Sequence, residues 1–198
     1  IKRIKPEIIF HLAAQPLIFE SYKKPKDTYE INALGTLNLL ESCRQNKSLK
    51  SLICVTSDKC YESNYSTKGF KEIDKLGGKD PYSGSKASAE LLVKSYISSY
   101  FSNKKNKVRI VTARAGNVVG GGDWATDRII PDCVRSWNSK RNLHIRNPNF
   151  VRPWQHVLDV TNGYLMLAKV ISKSKKFNGE SFNFGPEKNS IVTVKKLC

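Results

Sequence analysis

A serine, an aspartate and a lysine stand in a row at positions 57–59, directly after the apolar run "SLICVT" (51–56). The run reads as a buried strand. It therefore delivers a hydroxyl, a carboxylate and an amine together where the chain leaves a sheet. Open α/β sheets hold ligands outside the carboxyl ends of their strands, which makes Ser57, Asp58 and Lys59 candidates for a reaction site. A plain polar turn is the alternative. Tyr82 and Lys86 bear on the choice, because they lie four residues apart at the start of an amphipathic pattern. On a helix that spacing sets two side chains on one face, about 6 Å apart. An ammonium beside a phenol lowers the phenol's pKa and lets it act as a base near neutral pH. Spacing alone is weak, since Tyr22/Lys26 and Tyr100/Lys104 share it. Pro25 disfavours a helix through the first pair, and the other falls where the helical pattern dissolves into "SNKKNK". Only Tyr82/Lys86 opens a strong helix, directly after Pro81. The small residues Ser83, Gly84 and Ser85 between them would let a flat cofactor lie close.

These residues need a frame. "PEIIFHLAAQ" (6–15) reads as a strand over 8–12 that turns small at Ala13 and Ala14. "DTYEINALGTLNLLESCRQ" (27–45) is apolar on nearly every face, which suits a helix buried between layers. The strand at 51–56 follows, then a long loop from Cys60 to Pro81. Over 82–100, Ala89, Leu92, Val93, Tyr96, Ile97 and Tyr100 recur at helical spacing. "VRIVTARAG" (108–116) is a third strand. The order strand–helix–strand–helix–strand predicts a parallel sheet with right-handed crossovers. After Gly116 the pattern shortens. "NVVGGGDW" (117–124) is too glycine-rich for a regular element. "RIIPDCVRSW" (128–137) predicts a helix with Ile130, Cys133, Val134 and Trp137 on one face. A further helix starts at Asp159 as N-cap and carries Gly163, Tyr164, Leu167, Ala168 and Ile171. "SFNFGP" is strand-like, and the final "IVTVKKLC" predicts no closing helix.

Composition narrows the class. The chain has 198 residues, 39% of them apolar, so a core can form and wholesale disorder is excluded. No apolar stretch is long enough to span a membrane, and there is no signal-like start. The 34 Lys and Arg against 17 Asp and Glu give a net charge of +17. The lysines sit mostly in loops and helix ends, with no basic–aromatic RNA signature, so nucleic acid is not the expected partner. Five cysteines (43, 54, 60, 133 and 198) form no CxxC and no pairing pattern. That suits buried thiols in a reducing cytoplasm. No metal site is expected. Because residues 8–12 already read as a strand and residue 1 is isoleucine, the chain is expected to begin inside a fold.

With the strand ending in Ser57 and Tyr82-x3-Lys86 in view, the sequence resembles the extended short-chain dehydrogenase/reductase superfamily. "HLAAQP" (11–16), "VTSDKCYE" (55–62), "LGGKDPYSGSK" (76–86), "ARAGNVVGGGDW" (113–124) and "VRPWQHVLD" (151–159) resemble the CDP-glucose 4,6-dehydratases within it. The match runs from about residue 6 to about residue 194. The resemblance implies an α/β fold: a partial Rossmann-like doubly wound parallel sheet lacking its first βαβ unit, with a smaller mixed α/β substrate-binding region. Residues 1–116 would be the C-terminal part of the NAD-binding domain, and 117–198 mostly the substrate region, interleaved with the sheet. The glycine-rich turn and the acidic ribose ligand of such domains are not in these 198 residues, so the chain alone is expected to hold NAD poorly and to be inactive.

The same resemblance implies roles. Ser57, Tyr82 and Lys86 would remove the sugar 4-hydroxyl proton while hydride leaves C4 for NAD. Asp58 would be the acid at the departing 6-hydroxyl. Lys59, where related dTDP-glucose enzymes carry Glu, would be the base at C5 or position water or the 6-hydroxyl. Leu12, Ala13, Ala14, Asn32, Thr56, Tyr82, Lys86 and Ala115 would line NAD, and Asn117, Arg128 and Arg152 the nucleotide sugar. Asn32 is either a residue supporting the triad or a helix-packing amide. His156 is at least as well explained structurally, and His11 is read as strand packing. The family carries arginines after "AAQPL", where this chain has Phe19 and Glu20, which leaves nucleotide specificity open. The whole protein is expected to be a cytoplasmic homo-oligomer in deoxysugar biosynthesis for lipopolysaccharide O-antigen. A 4-epimerase or reductase of the same superfamily and a non-catalytic basic binding module are the alternatives; Asp58 and Lys59 speak against the first.

Overall fold

The computed structural model describes residues 1–62, 69–103, 106–187 and 191–198. Lys104 lies outside them, and so does the 63–68 part of the loop expected over 60–81. The chain divides into two compact units, one of Ile1–Ala115 and Gly163–Asn183, the other of Gly116–Asn162 and Phe184–Cys198.

The first unit is built on parallel strands. β1 (Ile8–His11), β2 (Ser51–Val55) and β3 (Arg109–Ala115) pair side by side in that order, with Ile8 opposite Ser51 and Ser51 opposite Arg109. β7 (Ser181–Phe184) follows β3 in the same sheet. Every residue of β2 but Val55 is buried, as a central parallel strand requires. Helices α1 (Ile18–Lys23), α2 (Pro25–Tyr29) and α3 (Gly35–Arg44) connect β1 to β2, and α4 (Pro81–Tyr96) connects β2 to β3. The main core joins α3, β2, α4 and β3 through Leu40, Cys43, Leu52, Cys54, Val93 and Ile110, with Leu49, Phe101 and Val108 beside them. The expected parallel α/β sheet is therefore present.

Several local expectations change. The span 27–45 is not one buried helix. Pro25 starts α2 at its first turn, where proline is tolerated. A π-helical turn at Glu30–Leu34 then separates α2 from α3. Tyr29, Ile31 and Leu34 are exposed, so one face of this segment is uncovered. α1 was not expected, because "IFESYK" lacks a helical apolar stripe and has no capping side chain. The strand over 8–12 stops at His11.

In the second unit, Val118–Val119 form a short strand, β4, against the expectation of no regular element. It pairs in parallel with β6 (Gln155–His156), leaving the glycines at 120–122 to make the turn. A side chain at Gly120 would stand 2.5 Å from Val157 Cγ1, so the glycine is needed for this approach. α5 (Ile129–Asn138) buries Cys133, but Trp137 is exposed rather than on the covered face. β5 (Val151–Pro153) runs antiparallel to β8 (Ile191–Thr193), and the chain does end in a short helix, α7 (Val194–Leu197). α6 (Val157–Lys173) starts two residues before Asp159. Asp159 sits in its first turn instead of capping it, a favourable place for negative charge. Val160 of α6 is buried, and so are Tyr164, Leu167, Ala168 and Ile171, which belong to the first unit. All five cysteines are free thiols, but Cys133 and Cys198 stand 3.5 Å apart at sulfur, a proximity their spacing did not announce.

Candidate active site

At the end of β2 the apolar run gives way to Thr56 and Ser57, both buried. Ser57 caps a single 3₁₀ turn, Asp58–Cys60. Its hydroxyl donates to Asp58 Oδ1 at 3.2 Å and accepts the Lys59 N–H at 3.2 Å. Lys59 Nζ donates to Asp58 Oδ2 at 3.1 Å, and the Lys59 side chain is 37% exposed. The three side chains are thus bonded to one another rather than scattered on a turn.

α4 brings the second pair. Asp80 caps it, accepting the Ser83 N–H at 2.9 Å and the Ser83 hydroxyl at 2.7 Å, and Pro81 opens its first turn. This start sets Tyr82 in the first turn and Lys86 one turn on, both buried. The Asp58–Cys60 turn packs on α4, and Cys60, Tyr61 and Ala87 form a buried cluster next to Lys86. The end of β2 and the first turns of α4 therefore meet. Lys86 is 5% exposed. Burial pulls its ammonium down to about 8 from the usual 10.5, against the opposing pull of Cys60 and Glu90. Burial and the Lys86 charge lower His11, whose Nε2 pairs with Thr36 Oγ1 at 3.1 Å. That bond ties β1 to α3.

The small residues between Tyr82 and Lys86 serve capping and packing in this fold. A side chain at Gly84 would lie 2.4 Å from the Tyr29 hydroxyl, so this glycine lets α2 approach α4. Ser85 is fully buried, donating to the Tyr82 carbonyl and accepting from Asn32 Nδ2 at 2.9 Å. Asn32 also takes the Gln15 N–H on Oδ1 at 2.8 Å and donates to the Gln15 carbonyl at 3.1 Å. It is buried and ties the segment after β1 to the helix of Tyr82 and Lys86.

The remaining predicted residues separate by unit. Leu12 and Ala13 are exposed just beyond β1, Ala14 is half-buried, and Ala115 ends β3 half-buried. Among the described residues Lys86 has no ion-pair partner. A buried cation beside small side chains at the strand ends suits a neutral ribose and a flat ring, so these residues fit the dinucleotide expected from the sequence. Asn117, Arg128 and Arg152 belong to the second unit. Asn117 accepts the Gln155 N–H on its carbonyl at 3.0 Å. Arg128 precedes α5 and pairs with Asp123 at 3.4 Å, and Arg152 lies over the Phe150 ring. His156 Nδ1 accepts the Leu158 N–H at 3.2 Å at the start of α6. With Trp154, Gln155, Asp159 and Gly185 it lines a pocket of about 480 Å³ within this unit. No group of three His, Cys, Asp or Glu side chains among the described residues could hold a metal ion. No helix among them is long and apolar enough to cross a membrane.

Sequence reasoning missed a buried ion pair below the site. Glu90, one turn beyond Lys86, and Arg114 in β3 pair at 2.7 Å with side chains 2% and 3% exposed. A charge on the apolar stripe of a helix and another inside an apolar strand were the available signals.

The description "NAD dependent epimerase/dehydratase family" matches residues 1–185. The CDP-glucose 4,6-dehydratase of Salmonella typhimurium is 44% identical over 98% of this chain and 55% of its own length. The dTDP-glucose 4,6-dehydratase of Bacillus anthracis, solved in complex with NAD, superposes with a TM-score of 0.79 at 27% identity, covering 100% of this chain and 56% of that one. The UDP-glucose 4-epimerase of Thermotoga maritima, solved with UDP-glucose, gives a TM-score of 0.83 at 24% identity over 99% of this chain and 61% of that one. At that identity it speaks for the fold alone. The chain spans about half the length of the curated relatives it matches.

Proposed function

Because this chain belongs to the NAD dependent epimerase/dehydratase family, we propose that the whole protein converts a nucleoside-diphosphate glucose, CDP-glucose foremost, to its 4-keto-6-deoxy form. Bound NAD would accept hydride from C4 and return it to C6. Ile1–Ala115 with Gly163–Asn183 would serve the cofactor, and the second unit would serve the sugar nucleotide.

The chain's own residues supply proton control. Tyr82 takes the 4-hydroxyl proton, Lys86 keeps a positive charge next to the phenol, and Ser57 holds the reacting oxygen. The 4-keto group acidifies C5–H, and loss of water then needs a proton at the departing 6-hydroxyl. Asp58 delivers it, since its carboxyl hydrogen-bonds Ser57 at 3.2 Å and so belongs to the same site. Lys59 is paired with Asp58 and partly exposed. We assign the C5 proton to its amine, freed as the Lys59 ammonium passes its proton to Asp58 at 3.1 Å, and that proton returns to C5 when hydride reaches C6. In the second unit Arg128 and Arg152 would take the diphosphate, which guanidinium forks suit, and Asn117 the sugar. Leu12, Ala13, Ala14, Asn32, Thr56 and Ala115 would border the cofactor, Asn32 by holding Gln15 and Ser85.

The bonded Ser57–Asp58–Lys59 turn against α4 carries this reading. A 4-epimerase, the second reading, needs Tyr82 and Lys86 but no elimination acid. The 44% identity to a CDP-glucose 4,6-dehydratase also favours dehydration. The free cysteines support a cytoplasmic setting, and deoxysugar synthesis for O-antigen is the pathway we assign. Incubation of the whole protein with CDP-, dTDP- and UDP-glucose tests the reaction by mass spectrometry. A product one water lighter, formed fastest from CDP-glucose, is expected. An isobaric epimer would replace dehydration with epimerisation, and faster turnover of another nucleotide would move the specificity.

A further inference from the structure

Glu90 is deeply buried and charged, and the proton transfers above do not use it. Its carboxylate is held on every side. Arg114 donates from Nε to Oε1 at 3.0 Å and from Nη2 to Oε2 at 2.7 Å. Thr56 donates to Oε1 at 2.5 Å, and Thr112 to Oε2 at 2.9 Å. The partners come from different elements: Thr56 adjoins Ser57 beyond β2, Thr112 and Arg114 are in β3, and Glu90 rides on the helix of Tyr82 and Lys86. Arg114 extends the network, donating from Nη1 to Tyr61 Oη at 2.7 Å and the Glu72 carbonyl at 3.0 Å, and from Nη2 to Ser181 Oγ at 2.9 Å. All five guanidinium N–H groups are thereby engaged. Tyr61 in turn donates to Asn183 Oδ1 at 2.6 Å, and Asn183 takes the Phe70 carbonyl and Glu72 carboxylate as partners. The segment between the Ser57 turn and α4 is thus fastened to the same pair.

We propose that Glu90, clamped by Arg114, is a positioning residue that fixes the register of α4 against the end of β2 and so sets Tyr82 and Lys86 relative to Ser57. A buried ion pair is weak evidence of stability in itself, since desolvation offsets most of the attraction. Its use here is geometric, because one carboxylate bonds the last residue before Ser57 and two residues of β3 from a point one turn past Lys86. A charge effect accompanies the geometry. Cys60 of the 3₁₀ turn and Glu90 on α4 act on Lys86, Lys86 acts on His11 of β1, and Arg114 stands behind Cys60 and Glu90. Cys60 and Glu90 both favour the charged lysine, but burial pushes the Cys60 thiol up to about 12 and keeps it neutral near neutral pH, which leaves the Glu90–Arg114 pair as the charged neighbour.

The role assigned to Glu90 in turnover rests on the dehydratase reading, so its test has one arm that needs no substrate. Glu90→Gln in the whole protein should lower kcat for sugar oxidation about 10- to 100-fold, the scale of a small misplacement of reacting groups. KM should stay within about threefold. The alkaline limb of the pH profile should move to lower pH, because Lys86 loses its charged neighbour. A folded Glu90→Gln variant with parental kcat and pH profile overturns the proposal, as does a loss that only follows the folded fraction. Should that variant not fold, Arg114→Lys keeps the charge but breaks the fork. It should lose kcat several-fold with the alkaline limb unmoved, and parental kcat there is equally fatal. Were the parent to process none of the sugar nucleotides, the dehydratase reading fails on its own. Lys86 titration by NMR in labelled protein then decides. Movement to lower pH in Glu90→Gln supports the coupling, and an unmoved titration overturns it.

Discussion

Lys86→Met should make the protein more stable while abolishing sugar oxidation. Lys86 is 5% exposed, and burial holds it at about 8 instead of 10.5. Below pH 8 both folded and unfolded chains carry the proton, and the folded chain bears the full cost of burying it. Between pH 8 and 10.5 the folded chain has released a proton that the unfolded chain still holds, so stability rises with pH through that window. The gap corresponds to about 3 kcal/mol. Methionine fills a similar volume without charge. Urea denaturation of the whole protein stripped of NAD, at pH 7 and again near pH 10.5, should therefore show the variant about 3 kcal/mol more stable at the lower pH. The two proteins should converge at the higher pH, while titrations common to both cancel in the difference. A variant no more stable than the parent at pH 7, or a gap that does not close as pH rises, would refute the assignment of Lys86 as a buried, strained cation.

Asp58→Asn should leave the cofactor's near-ultraviolet absorbance change on adding CDP-glucose intact while cutting 4-keto-6-deoxy product by about 10²–10⁴-fold, the worth of a general acid; product at the parental rate removes Asp58 from the mechanism. Asn32→Leu should cost at least about 2 kcal/mol, because it leaves the Gln15 backbone groups and the Ser85 hydroxyl without their partner. Thermal denaturation and kcat would both report it, and an unchanged melting temperature would show that these bonds do not fasten α4.

The sheet was legible because its central strands β2 and β3 are buried and carry apolar runs such as Leu52–Val55. The Tyr82–Lys86 pair was legible because Pro81 and a strong amphipathic pattern single it out. Features set by tertiary contact were hidden. The π-helical turn around Asn32 fits side-chain bonds to Gln15 and Ser85, residues 17 and 53 positions away. Gly84 looked like room for a cofactor, but Tyr29 reaches that spot from another helix. β4 escaped notice because a two-residue strand has no period, and only its partner Gln155–His156 defines it. Glu90 and Arg114 each looked like an isolated charge in an apolar pattern, and only the fold makes them a pair.

The central claim is an internal redox dehydration, and an isotope follows it directly. CDP-glucose carrying deuterium at C4 should yield, with the whole protein, a 4-keto-6-deoxy product with that deuterium on the C6 methyl group, read by deuterium NMR. Water loss with deuterium found at C6 of the same molecule is the predicted result. Deuterium retained at C4 in an epimerised sugar, or a product with no deuterium at C6, would contradict it.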